Sequence, residues 1–200
     1  MSIITLSKST ALVVIDVQQG FNMSPYTEKS RSTPDCVPNI SRIISSFRSV
    51  SLPVIHVQHY SLEPTSVFNR DYSAEGYAIQ REAAPIPSEP IFVKRVNSAF
   101  IGTDLEKHLR DAGIKTLVMV GLTTSHCVST TVRMAGNLGW EVYVPRDATA
   151  MFARAAAPGG SEDKVFDAET MHEVALSELH GEFATVVTTN EVIRAVESLN

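Results

Sequence analysis

One short run near the start, Ala11-Leu-Val-Val-Ile-Asp16-Val17, constrains the fold more than any other feature. Five consecutive apolar residues show none of the alternation of a half-exposed strand. Both faces of such a strand must be covered, as in a parallel sheet, and here the run ends in a charge. Similar short runs recur at Pro53–Val57, Ile91–Val93, Thr116–Val120, Trp140–Val144 and Ala184–Val187. Between them the period changes. Pro34–Val50 places Val37, Ile40, Ile43, Ile44, Phe47 and Val50 three and four apart, which fits one helix face. Further helices are predicted over Thr103–Ala112, Cys127–Leu138, Asp167–Leu179 and Glu191–Leu199, with Gly113 and Gly139 as stops. Thr103 and Glu106 have the spacing of a capping box. Strands alternating with helices imply crossover units, hence an α/β class with helices on both faces of a parallel sheet. Ser61–Pro90 has no clear period and reads as a long irregular excursion, the kind of loop that is often functional or mobile. The stretch Ala155–Asp163 also reads as a loop, one that would cover a site or touch a second subunit.

Composition narrows the function classes. The 200 residues suit a single domain spanning 1–200, able to bury a core without metal or disulfide staples. Seventeen Lys+Arg against 22 Asp+Glu give a formal charge of −5, and the basic residues are scattered. A nucleic-acid partner is therefore not expected. The longest aliphatic runs, Ala11–Ile15 and Thr116–Val120, are far too short to span a bilayer, and Met1–Thr10 has no signal-like apolar stretch. Two cysteines, Cys36 and Cys127, make no disulfide framework. The expectation is a cytoplasmic protein acting on a small molecule, with no membrane partner.

Three reactive residues fall at strand ends, where open α/β sheets place ligands: Asp16, Lys94 and Cys127. A thiol in the first turn of a helix feels the positive end of the helix dipole, which predicts a thiolate with a pKa of roughly 3.5–7.5. Backbone N–H groups in the approach Gly121-Leu-Thr-Thr-Ser-His126 can hold an oxyanion. Asp16 at the end of an apolar strand suits a general base, and Lys94 would offset its charge. Together they suit acyl transfer through a cysteine nucleophile. Cys36, beside no second reactive group in the pattern, reads as structural.

These residues also carry a resemblance. Val13-Val-Ile-Asp16-Val-Gln18-Gln-Gly-Phe21, then Val93-Lys94 through Ser98-Ala99-Phe100 to Thr103-Asp-Leu105, then Val120-Gly-Leu-Thr-Thr124-Ser-His-Cys127 to Ala135, and finally Asp147-Ala148 resemble the isochorismatase-like cysteine hydrolases. The family includes nicotinamidases and N-carbamoyl amide hydrolases, and the resemblance spans nearly the whole chain. It implies a Rossmann-like three-layer fold with six parallel strands in the order 3-2-1-4-5-6, and an Asp-Lys-Cys triad at Asp16, Lys94 and Cys127. It further implies a non-proline cis peptide at Leu122–Thr123, an oxyanion hole from the Thr123 and Cys127 N–H groups, and a homo-oligomer. Substrate contacts implied are Phe21, His59, Tyr60, Val96, Phe100, Thr124 and His126.

The reaction expected is hydrolysis of a small amide or carbamoyl C–N bond. The alternative is vinyl-ether hydrolysis of the isochorismatase type, with Asp16 as general acid and no need for a cysteine; a binding protein on an inherited fold is a third class. No cofactor is expected. Nicotinamidases hold a metal through an Asp-x-His pair, whereas the matching segment here is Val54-Ile-His56-Val-Gln-His59. His56 and His59 lie three apart on a strand and face opposite ways, so no joint metal site is expected. His126 points about 100° away from Cys127 in a helix start, which leaves Asp16 the better proton acceptor, and His172 reads as structural.

Overall fold

The computed structural model describes residues 4–159 and 164–199. In chain order the elements are β1 (Thr10–Ile15), α1 (Cys36–Ser49), β2 (Val54–His59), α2 (Ala74–Tyr77), β3 (Ile91–Lys94) and α3 (Leu105–Asp111). Then follow β4 (Thr116–Leu122), α4 (Ser129–Asn137), β5 (Glu141–Pro145), β6 (Thr149–Ala150), β7 (Arg154–Ala155), β8 (Val165–Phe166), α5 (Ala168–Leu179), β9 (Thr185–Val187) and α6 (Thr189–Glu197). The main sheet runs β3-β2-β1-β4-β5-β9, all parallel, which is the expected order. It has one strand more than expected, because β6 pairs with the end of β4 at Gly121 and Leu122. The pair β7–β8 is antiparallel and separate. Of the Ala155–Asp163 loop, residues 160–163 lie outside the described residues.

Period-two alternation sends each strand's side chains to two cores. Leu12, Val14, Val54, Val118 and Val120 join Ile40, Ile44 and Phe47 of α1 and Val192 and Val196 of α6. Val13, Ile15, Ile55, Leu117 and Met119 join Leu105 and Leu109 of α3, Val132 of α4 and Leu176 of α5. The three-layer reading follows directly from these two sets.

Several boundaries differ from expectation, each for a local reason. α3 begins at Leu105 after Asp104, and the Thr103–Glu106 capping box does not form. Thr103 Oγ1 instead donates to the Ala99 carbonyl and accepts from Leu105 N–H. A capping box does form at Thr188 and Glu191, and α6 starts at Thr189, two residues before the expected Glu191. The excursion after β2 is not wholly irregular: α2 and a turn at Arg81–Ala83 sit within it. The predicted helix from Cys127 begins as a wide turn over Thr124–Val128, and regular α4 starts at Ser129.

Two features fix the sheet edge that matters for chemistry. Gly121 has φ 129°, and a Cβ there would lie 2.0 Å from the Ile15 carbonyl oxygen, so β4 passes the end of β1 only with glycine. Asp16, the next residue of β1's chain, turns into the left-handed region at φ 51°, a conformation aspartate tolerates better than most side chains. At the other side of the sheet, half-buried Glu89 ties β3's approach to β2 and α1. It takes two parallel bonds of 2.7 Å from Arg48, one of 2.9 Å from His56 Nε2 and one of 3.0 Å from Ile86 N–H. These donors outweigh its burial and hold the Glu89 carboxyl down at about 2.

Gly121→Ala is expected to destabilise the protein by about 3 kcal/mol in urea unfolding, through both the positive φ and the backbone overlap. Glu89→Gln should cost about 2 kcal/mol at neutral pH. Because Glu89 titrates at about 2 when folded against 4.5 otherwise, its contribution is complete above pH 4.5 and fades as pH falls toward 2. The variant should lose that part of the acid limb of stability in the same measurement.

Candidate active site

With β1 flanked by β2 and β4 and all strands parallel, the carboxyl ends of the central strands open on one edge. Asp16 stands one residue beyond β1, Lys94 closes β3, and Cys127 lies in the wide turn between β4 and α4. Lys94 has no solvent exposure at all, and Asp16 is 1% exposed. The Lys94 ammonium lies 2.6 Å from Asp16 Oδ2, 3.3 Å from Cys127 Sγ and 3.4 Å from His59 Nδ1. An ammonium has three hydrogens to donate, and these three neighbours can use all of them. Asn97 Nδ2 adds a contact of 3.5 Å to the sulfur. Its loop is held to α4, since Ala99 N–H donates to Thr131 Oγ1, which in turn donates to the Cys127 carbonyl.

Electrostatics here depart from the sequence expectation. Burial, then the nearby Asp16 carboxylate, push the Cys127 thiol up to about 12, and Lys94 only partly opposes them. The resting residue is a thiol and not the thiolate expected from a helix start. The reason is positional: the regular helix begins two residues later, and the sulfur is half-buried beside a carboxylate. Burial likewise raises Asp16, against the pull of Lys94. His59 is lowered to about 4 by burial and by Lys94, so it is neutral and its Nδ1 accepts. Cys36 is fully buried in α1, and its thiol is also pushed up to about 12 by burial.

A cavity of about 630 Å³ opens above these groups. Asp16, Thr123 and Cys127 line it, as do Phe21, His59 and His126. The Leu122–Thr123 peptide is cis. Four of the expected substrate contacts are placed elsewhere. Phe100 stacks on Trp140 in the core at 5.5 Å, and Thr124 is fully buried against His172 Nδ1 at 2.8 Å. Tyr60 points its hydroxyl to Asp71 and its ring to Arg95, and Val96 is largely exposed. His172 also bonds the Arg146 carbonyl, and its bond to Thr124 joins α5 to the turn that carries Cys127. Sequence reading missed Gln18, Tyr26, Lys29, Phe68, Asn97, Met151, Phe152 and Arg154 as lining residues. Only Phe68 had a signal, being a large apolar residue inside a polar excursion.

The histidines of β2 do not suit a cation. His56 donates to Glu89, away from the cavity, while His59 has the Lys94 ammonium against its Nδ1. A positive charge already occupies the place where a metal would need an electron pair. Among the described residues no group of three His, Cys, Asp or Glu side chains is arranged to hold a metal. Nor is any helix among them long and apolar enough to cross a membrane.

Comparison with known proteins agrees with this architecture. The Isochorismatase domain family model matches residues 10–191. The chain is 42% identical over 188 residues to the uncharacterized isochorismatase family protein YrdC of Bacillus subtilis, covering 94% of this chain and 96% of that one. A crystal structure of an isochorismatase-family protein from Chromobacterium violaceum superposes over the full length of both chains with a TM-score of 0.89 at 32% identity. Relatives named for an activity include Nicotinamidase 3 of Arabidopsis thaliana, at 29% identity over 95% of this chain and 90% of that protein. An N-carbamoylsarcosine amidase from Arthrobacter matches at 25% over 94% of this chain and 72% of the relative. A parallel sheet in this order, with a match that runs across almost all of it, makes the chain a hydrolase of the isochorismatase family.

Proposed function

We propose that the protein is a cysteine-dependent hydrolase of a small amide or carbamoyl C–N bond, with Asp16, Lys94 and Cys127 as its catalytic groups. The observation that carries this reading is the shared ammonium: buried Lys94 Nζ lies within 3.3 Å of both the Asp16 carboxylate and the Cys127 sulfur, two groups that line an open cavity. Two relatives named as amidases support the bond type.

The resting thiol sets the order of events. Asp16 takes the thiol proton as sulfur attacks the carbonyl carbon, and Lys94 transfers its attraction from carboxylate to sulfur without moving far. The carbonyl electron pair goes to oxygen, where the Thr123 and Cys127 N–H groups face the developing charge. Collapse of this intermediate breaks the C–N bond, and Asp16 returns its proton to the leaving nitrogen. A thioester or thiocarbamate remains. Asp16 then takes a proton from water, the hydroxide attacks the acyl carbon, and the departing sulfur regains that proton.

Cys127→Ser and Asp16→Asn are each expected to lower amide turnover by about a thousandfold or more in steady-state assays on a panel of small amides. Full turnover by Cys127→Ser overturns the scheme, and if that variant cleaves isochorismate at the wild-type rate the acid-catalysed vinyl-ether route replaces it. Because Asp16 must be ionised to act and burial raises its pKa, kcat/KM should fall with decreasing pH along a limb that lies above 3.8.

A further inference from the structure

The segment that follows β3, Arg95-Val-Asn97-Ser-Ala-Phe100, passes from exposed to buried at one point. Asn97 is exposed, whereas Ser98, Ala99 and Phe100 are buried. The turn closes on itself, since Ser98 Oγ accepts from Phe100 N–H and Thr103 Oγ1 donates to the Ala99 carbonyl. Phe100 stacks on Trp140 and anchors its far end. Asn97 is thus the last exposed residue before a packed and bonded turn.

That turn grips Cys127 at two points. Ala99 N–H donates to Thr131 Oγ1 at 3.1 Å, and Thr131 Oγ1 donates to the Cys127 carbonyl at 2.6 Å. Asn97, which lines the cavity, brings Nδ2 to within 3.5 Å of the same residue's sulfur. Lys94, wholly buried, reaches the sulfur at 3.3 Å. Among the described residues these are the two donors on the sulfur, and they differ in what else they serve. Lys94 divides its hydrogens among Asp16, the sulfur and His59, whereas the Asn97 amide has no other hydrogen-bond partner among the described residues. Neighbouring His126 is engaged elsewhere: its Nε2 accepts from Arg154 at 2.8 Å, and its Nδ1 lies 3.2 Å from Thr123 Oγ1. Further out the wall is aromatic, with the Tyr26 ring 5.2 Å from that of Phe152.

We infer that Asn97 is a further catalytic residue, a neutral hydrogen-bond donor to the Cys127 sulfur whenever that sulfur carries negative charge. The inference rests on the cysteine-hydrolase reading and deepens it. In the attack, Asp16 takes the thiol proton while a sulfur electron pair forms the bond to carbon and the carbonyl pair moves to oxygen. In the release, the oxygen pair restores the carbonyl, the C–S bond breaks, and the sulfur leaves with the bonding pair and takes the proton back from Asp16. In both steps Asp16 and the sulfur share one proton and one negative charge, and Lys94 attracts that charge at either place. Asn97 touches the sulfur alone, so it biases the charge toward sulfur without adding a second buried cation.

Alkylation tests this without a substrate, because its rate follows the anionic character of the sulfur. Rates at Cys127 are measured at mildly alkaline pH with iodoacetamide and with the bulkier iodoacetanilide, by intact mass and peptide mapping. Cys127→Ser locates the adduct, and fully buried Cys36 should stay unlabelled. Asn97→Leu keeps the shape of the side chain and donates nothing. It should stabilise the thiolate about tenfold less well, the weak end of a hydrogen bond to a charged group. Alkylation should slow by about threefold, since a less stabilised thiolate is scarcer but also more nucleophilic. The factor should be the same for both reagents, and Asn97→Asp, which sets a negative charge at that place, should be slower still. If Asn97→Leu reacts at the wild-type rate, if its loss differs between the two reagents, or if Asn97→Asp is no slower than wild type, Asn97 only covers the sulfur: the inference is overturned and the hydrolase reading stands. If neither reagent reaches Cys127 in the wild-type protein, the nucleophile assignment falls and this inference falls with it.

Discussion

The ion pair between Asp16 and Lys94 is the constraint around which the sheet edge is organised. Two charges with almost no solvent contact are tolerable only when they are close and well bonded. Closeness here requires β1 and β3 to end at the same height although β2 separates them. The parallel register of β1 on β2 and β2 on β3 delivers that height, placing Ile15 opposite Val57 and His59 opposite Lys94. The backbone turn at Asp16 and the missing side chain at Gly121 then let β4 come close enough to bring Cys127 to the same ammonium.

Burial of this pair has a chemical consequence. In water a carboxylate beside a thiol would be a weak base toward it. Inside the sheet edge both groups are raised, so in the proposed reaction the sulfur keeps its proton until the carboxylate accepts it. Lys94 is the group whose attraction can serve either anion. A single ammonium bonded to carboxylate, sulfur and imidazole makes the proposed proton transfer a local rearrangement, with no large motion of charge. The outer half of the cavity is lined differently, by the cations Lys29 and Arg154 and by the rings of Phe21, Tyr26, Phe68 and Phe152.

Much of the fold was legible from periodicity. Continuous apolar runs marked the buried strands, and spacings of three and four marked α1, because both patterns arise from local backbone geometry. Boundaries were less legible where side chains found non-local partners. Thr103 had the spacing of a cap but bonded the Ala99 carbonyl instead. The second strand, expected to end at Val57, runs on to His59, whose backbone N–H bonds Gln18 Oε1. The three reactive residues were legible because each sits just past a recognisable strand. Phe100 and Thr124 were listed for the cavity on resemblance alone, yet a neighbouring Trp140 and a neighbouring His172 hold them in the core.

By itself the sequence determined which segments are strands and helices, that the sheet is parallel, and which acid, amine and thiol stand at its carboxyl edge. These properties are encoded in the order of neighbouring residues. The tertiary structure alone decided the protonation of the thiol, the aromatic wall and the pairing of His126 with Arg154. Those depend on burial and on contacts between residues far apart in the chain, such as Tyr26 with Phe152 and His126 with Arg154, which no local pattern records.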